Sequence, residues 1–174
     1  MKNDIKNIEE GTLVIILGLS GSGKTVLAKK LTEKYEGMIN VSNDKWRNIL
    51  CGNEANQTRN DEVYEKVNEE IENSLKENKR VVMDATNLYK VSREKLYEIA
   101  RKNNNPILVL FLNVPLEEAI ERNNIRDRKV PIEIIERQFD RMKQTRIDIE
   151  EELDKDCIVD ITIIPNKNLE VLEH

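Results

Sequence analysis

A chain of 174 residues with 39% hydrophobic and 35% charged residues can build one domain around a substantial core, and its composition excludes a disordered or fibrous protein. A formal net charge of -5 and a pI of about 5.2 exclude any general electrostatic attraction to nucleic acid or anionic membrane, so a phosphate-rich partner has to be caught by a local cluster of cations. No apolar run approaches membrane-spanning length and Met1 is followed by polar residues, so a soluble cytoplasmic protein with no membrane partner is expected.

In chain order, residues 1–11 are polar and are expected to fray. Residues 12–17 (TLVIIL) form a continuous apolar run, rich in β-branched side chains, that suits a strand buried on both faces of a parallel sheet. A glycine-rich turn follows, then a helix over 24–35 with Leu27, Ala28 and Leu31 on its apolar face, stopped at Gly37. Residues 38–42 read as a second strand, and 43–50 as a helix entered through an Asn/Asp cap. After a polar loop, 61–78 is a helix with Val63, Val67, Ile71 and Leu75 four apart. Residues 81–83 form a third strand closed by Asp84, 92–104 a helix, and 107–112 a fourth strand after the turn at Pro106. Pro115 opens one helix and Pro131 another, the latter with a stripe of Ile132, Ile135, Phe139, Met142 and Ile149; residues 158–164 form a last strand.

Strands alternate with helices throughout, which predicts an α/β fold: a five-stranded parallel sheet flanked by helices, with ligands at the C-terminal ends of the strands. One domain over residues 1–171 is expected, and Leu172-Glu173-His174 reads as the remnant of an expression tag. Setting that tail aside removes the chain's single histidine, and with it histidine catalysis. Cys51 and Cys157 have no metal-ligand spacing and read as two thiols rather than a disulfide.

Residues 18–25 (GLSGSGKT) fit the phosphate-binding pattern G-x-x-x-x-G-K-[ST] in strand–turn–helix context. The backbone N–H groups from Gly18 through Ser20, Gly21, Ser22 and Gly23 can cradle phosphate oxygens, helped by the positive end of the helix that follows. Lys24 supplies a cation to the β- and γ-phosphates of ATP and Thr25 a hydroxyl to Mg²⁺. Asp84, at the end of an apolar strand, is the expected carboxylate for the same metal. Asp44 and Arg47 lie three apart in one helical turn after the second strand. They can act as base and anion grip, or simply as a salt bridge at a helix start. The charged stretch 121–129, with Arg122, Arg126, Arg128 and Lys129, is either an arginine-bearing lid or a solvated turn.

These clusters, in this order, resemble the 5′-kinase domain of phage polynucleotide kinase and of related bacterial RNA-repair kinases, over about Leu13 to Met142. Asn-Asp44-x-x-Arg47, Met-Asp84-Ala-Thr86-Asn87-Leu, and Val114-Pro115 followed by Arg122-Asn, Arg126 and Val130-Pro131-Ile carry the likeness. The resemblance implies Asp44 as general base on a 5′-hydroxyl and Arg47 on the neighbouring phosphate of the acceptor. It puts Asp84, Thr86 and Asn87 on the acceptor side and makes residues 122–130 a lid whose Arg126 neutralises the phosphates of ATP. Lys45 stands where that family often has a second aspartate. A kinase for sugar acids, nucleosides or antibiotics is the alternative, because the Asp-Ala-Thr-Asn segment is shared with kinases of small hydroxyl compounds; an NTPase switch is the remaining one.

Overall fold

The computed structural model describes residues 7–152 and, by their backbone, residues 158–165. The elements in order are β1 (Leu13–Leu17), α1 (Lys24–Lys34), β2 (Ile39–Ser42), α2 (Asn43–Cys51), α3 (Asn60–Lys76), β3 (Val81–Asp84), α4 (Lys90–Lys102), β4 (Ile107–Asn113), α5 (Leu116–Asn124), α6 (Ile132–Glu152) and β5 (Ile158–Pro165). The sheet runs in the order β2-β3-β1-β4-β5, with every pairing parallel. Four of the five expected strands, β2-β3-β1-β4, make the part of the sheet whose side chains are described. β5 joins beside β4 on backbone pairing, with a register shift between Ile107 and Leu108.

β1 is central, between β3 and β4, and all five of its residues are buried. That position explains its unbroken apolar run: Leu13, Ile15 and Leu17 enter one core layer while Val14 and Ile16 enter the other. The first layer takes Val63, Val67, Ile71 and Leu75 of α3 with Leu96 and Ile99 of α4 and Ile135, Met142 and Ile149 of α6. The second takes Leu27, Ala28 and Leu31 of α1. Ile132, expected on the α6 stripe, is exposed in the first turn, next to the 122–130 segment and ahead of the buried part of the helix.

Residues 7–11 do not fray: Ile8 is buried, its N–H donates to the Tyr35 hydroxyl at 3.4 Å, and its carbonyl accepts from Arg80 Nε at 2.8 Å. The cap of α2 is Ser42 rather than Asn43 or Asp44; its backbone is extended and its hydroxyl accepts from Lys45 N at 3.1 Å. Cys51 is a half-buried free thiol, while Cys157 and residues 172–174 lie outside the described residues.

The register sets up the site. Asp84 pairs with Ile16 on one side and Ser42 on the other, so the ends of β1, β3 and β2 stand level. Two residues beyond Ile16 lies Gly18, and two beyond Ser42 lies Asp44; both segments open onto the edge that Asp84 occupies.

Candidate functional site: a phosphate loop facing an aspartate and an arginine

The loop between β1 and α1 needs its glycines. Gly21 has φ 85°, and a Cβ there would sit 2.2 Å from the carbonyl oxygen of Ala119, so the loop presses its bare backbone against α5. Gly23, at φ 96°, turns the chain into α1, and no side chain caps that helix. The N-terminal amides of α1 are therefore left for an anion. Ser22 Oγ is buried without any hydrogen-bond partner. The uncapped helix start and the glycine backbone before it fit a phosphate group.

Lys24 donates to the carbonyl of Leu19 at 2.5 Å. Burial is the largest influence on it and lowers its pKa to about 8, opposed by the charge of Asp84, assisted by the positive charge of Arg126, and opposed again by Asp44. The Thr25 hydroxyl donates to the Asp84 carboxylate, whose pKa is raised mainly by burial and held back by that bond and by Lys24. Lys24, Thr25, Asp84, Asp44 and Arg126, picked from four separate stretches of sequence, thus lie within electrostatic reach of one another. Two oxygens side by side, a threonine hydroxyl and a carboxylate, form the kind of partial donor set that Mg²⁺ completes with water and substrate phosphate.

A lysine titrating near 8 gives a direct expectation. Bound phosphate favours the ammonium, so the complex holds more protons than the free protein once the pH passes about 8. Nucleotide affinity measured in EDTA falls by up to about tenfold per pH unit above that point. Lys24→Arg, charged throughout, removes the dependence. Calorimetry in two buffers of different ionisation enthalpy reads the proton uptake; flat affinity from about pH 7 to about pH 9.5 contradicts the assignment.

On α2, Arg47 Nη1 donates to Asp44 Oδ1 at 2.8 Å, and Arg47 Nε donates to Asn60 Oδ1 at 3.2 Å. The Arg47 side chain is only 12% exposed while that of Asp44 is 48% exposed, so the guanidinium is pinned and the carboxylate faces the cleft. The second Asp44 oxygen lies 3.4 Å from Arg128 Nη1, which also approaches Glu54 at 3.6 Å. Arg128, grouped with Lys129 in the sequence, is thereby set apart from it. The 122–130 segment begins in the last turn of α5 and runs into the connection to α6. Asn123, buried, closes its base by donating from Nδ2 to Val130 O at 2.8 Å and accepting from Val130 N at 2.9 Å. Arg122 pairs with Glu118 and reaches the Ser22 carbonyl at 3.5 Å. Arg126 is exposed on the segment, with its charge felt at both Lys24 and Asp84.

Thr86 is half-buried next to the phosphate loop, and its carbonyl accepts from Gly18 N at 3.3 Å. The Asn87 side chain turns inward and its Nδ2 donates to Ile16 O at 2.9 Å, with φ 49°. That amide nitrogen is committed to joining β3 to β1. Behind it lies a charged cluster. Arg93, fully buried, donates to the Asn87 carbonyl at 2.9 Å and makes a two-pronged pair with Glu152, Nε at 3.1 Å and Nη2 at 2.8 Å. The Tyr97 hydroxyl adds a bond to Glu152 at 2.6 Å. Thr145 Oγ1 and Arg141 Nε both donate to Leu88 O, at 2.7 and 3.3 Å. The backbone leaving β3 is therefore held from below by α4 and α6.

The family model described as "AAA domain" matches residues 13–148, from the first residue of β1 almost to the end of α6. The chain belongs to that family. It is an α/β P-loop kinase by fold, an ATP-dependent phosphotransferase. It is 24% identical over 92% of its length to an L-seryl-tRNA(Sec) kinase of Methanococcus maripaludis, covering 69% of that protein. It is 29% identical over 73% of its length to a putative bifunctional polynucleotide kinase/RNA ligase of Autographa californica nuclear polyhedrosis virus, of which it spans only 20%. Among solved structures, a chain of the Pnkp1/Rnl/Hen1 RNA repair complex superposes with a TM-score of 0.73 at 19% identity, over 83% of this chain and 48% of that one. The chain thus spans about half or less of two of these three, and the relatives are named for different acceptors. No helix among the described residues is long and apolar enough to cross a membrane.

Proposed function

We propose that this kinase transfers the γ-phosphoryl group of ATP to the 5′-hydroxyl end of a polynucleotide. Lys24 and Arg126 neutralise the phosphate oxygens, Thr25 and Asp84 hold Mg²⁺, and Asp44 takes the proton from the attacking hydroxyl. The observation that carries the reading is the Asp44–Arg47 pair. A pinned guanidinium holds a solvent-facing carboxylate at 2.8 Å, and the charge of that carboxylate reaches Lys24 and Asp84. A base alone would serve any alcohol. An arginine fixed beside it suits an alcohol with an anion close by, and a polynucleotide end carries a phosphate one nucleotide inward. Among the described residues no group of three acidic, Cys or His side chains could hold a metal, which suits an ion brought in with ATP.

A nucleoside 3′-phosphate is therefore a far better acceptor than the bare nucleoside, by roughly the 1.5–3 kcal/mol of a charge-assisted hydrogen bond. Arg47→Ala erases most of that preference and leaves ATP binding alone. The test is labelled ATP offered to 5′-hydroxyl oligonucleotides, to nucleosides with and without the 3′-phosphate, and to sugars and antibiotics. Equal use of nucleoside and nucleoside 3′-phosphate, or use of a small alcohol alone, rejects the polynucleotide acceptor.

A further inference from the structure

We propose that Gln138 of α6 is a positioning residue for the phosphate loop, fixing the Leu19–Ser20 peptide and, through it, the ammonium of Lys24. The backbone N–H of Ser20 donates to Gln138 Oε1 at 2.8 Å, a contact between residues 118 apart in sequence. The other end of that same peptide, the Leu19 carbonyl, accepts from Lys24 Nζ at 2.5 Å. The C=O and N–H of a trans peptide point in opposite directions in one plane, so holding one aims the other. Without a partner for its N–H, this peptide is held at its carbonyl end only. Within the loop the peptide is held at its carbonyl end, where Ser22 N donates to Leu19 O at 3.1 Å beside Lys24 Nζ; nothing in the loop accepts from Ser20 N, and Gln138 holds that end.

The donor fixes the orientation of the side chain. A backbone N–H can bond only to oxygen, so the Gln138 carbonyl faces the loop and its amide nitrogen faces away. That nitrogen makes no hydrogen bond among the described residues, so the one bond of the Gln138 carboxamide is the one to the loop. Gln138 sits two turns into the helix that directly follows the 122–130 segment. A movement of that segment that carries α6 with it therefore changes the support of the peptide on which Lys24 rests. Asn123, which closes the base of the segment on Val130, makes such a movement collective.

The test uses the full chain and nucleotide binding, so its failure is separate from failure of the polynucleotide reading. Gln138→Met keeps length and loses the acceptor; Gln138→Glu restores an acceptor oxygen. In Gln138→Met, the Ser20 amide of the nucleotide-free protein exchanges with solvent at least about fivefold faster, and ATP binds about fivefold more weakly, the worth of one hydrogen bond. Turnover falls further than saturation alone explains, while the thermal midpoint stays near that of the parent, because Gln138 is only half-buried. Gln138→Glu returns the Ser20 amide to slow exchange. Unchanged Ser20 exchange in Gln138→Met overturns the proposal. So does faster exchange with ATP affinity and turnover unchanged, or a common loss of midpoint and activity that Gln138→Glu does not repair.

Discussion

Asp44→Asn lowers turnover on the order of 10²- to 10⁴-fold, the usual worth of a general base, and leaves nucleotide affinity and folding nearly untouched. The structure sharpens this expectation. Asparagine is a good helix cap, so a capping Asp44 would survive the change, but the cap of α2 is the hydroxyl of Ser42, and the Asp44 carboxylate takes no part in it. Its partners are Arg47 at 2.8 Å and Arg128 at 3.4 Å, and its side chain is half exposed. Exposed pairs of this kind contribute about 0–1 kcal/mol, too little to explain a loss of several orders of magnitude by destabilisation. A large fall in turnover at constant ATP affinity and constant unfolding midpoint therefore reports proton transfer. Full turnover in Asp44→Asn assigns the carboxylate to holding the two arginines and removes it from the chemistry.

The parts of this protein that were legible from sequence are those where a local pattern and a global position agree. β1 reads as a doubly buried strand because its position between β3 and β4 demands an unbroken apolar run, and the P-loop reads from its spacing because its chemistry needs those residue types in that order. Four-residue spacing exposed the buried face of α3 in the same way. Illegible were contacts made across the sequence by polar side chains. The resemblance puts Asn87 on the acceptor side, yet its backbone is left-handed and its Nδ2 donates to Ile16 O. Gln138 and Ser20 carry no mutual signal, since a backbone N–H has no residue type. On α6, Thr145, Asp148 and Glu152 fall at i, i+3 and i+7, a spacing that in charged residues reads as a solvated face, yet all three are buried. Ser42 does not stand out as the cap in the sequence because Asn43 and Asp44, equally good caps, follow it directly.

That buried polar face yields the largest stability effect. Arg93→Ala costs about 3–5 kcal/mol, because it leaves Glu152 charged in the interior without its cation. Arg93 is fully buried and Glu152 is 3% exposed, so water does not take over the lost bonds. Burial opposes the charge of Arg93, but the two-pronged bond to Glu152 prevails and holds its pKa above the usual value. Burial and the same carboxylate keep the Tyr97 phenol protonated as a donor. Arg141 cannot substitute: its Nη2 is engaged with Asp148 at 2.9 Å and its ring contact is to Tyr89. The loss also reaches the site, because Arg93 holds the Asn87 carbonyl and so the turn by which Asp84 and Thr86 leave the sheet. Denaturant unfolding followed by Trp46 fluorescence measures the cost. The companion variant Arg93→Met/Glu152→Met removes both charges and fills the space with apolar side chains, so it recovers most of the stability lost in Arg93→Ala. It does not recover full turnover, since neither methionine can bond to the Asn87 carbonyl. Arg93→Ala with parental stability would mean that the guanidinium and carboxylate are solvated in solution; a double variant as active as the parent would mean that the turn after β3 holds its shape without them.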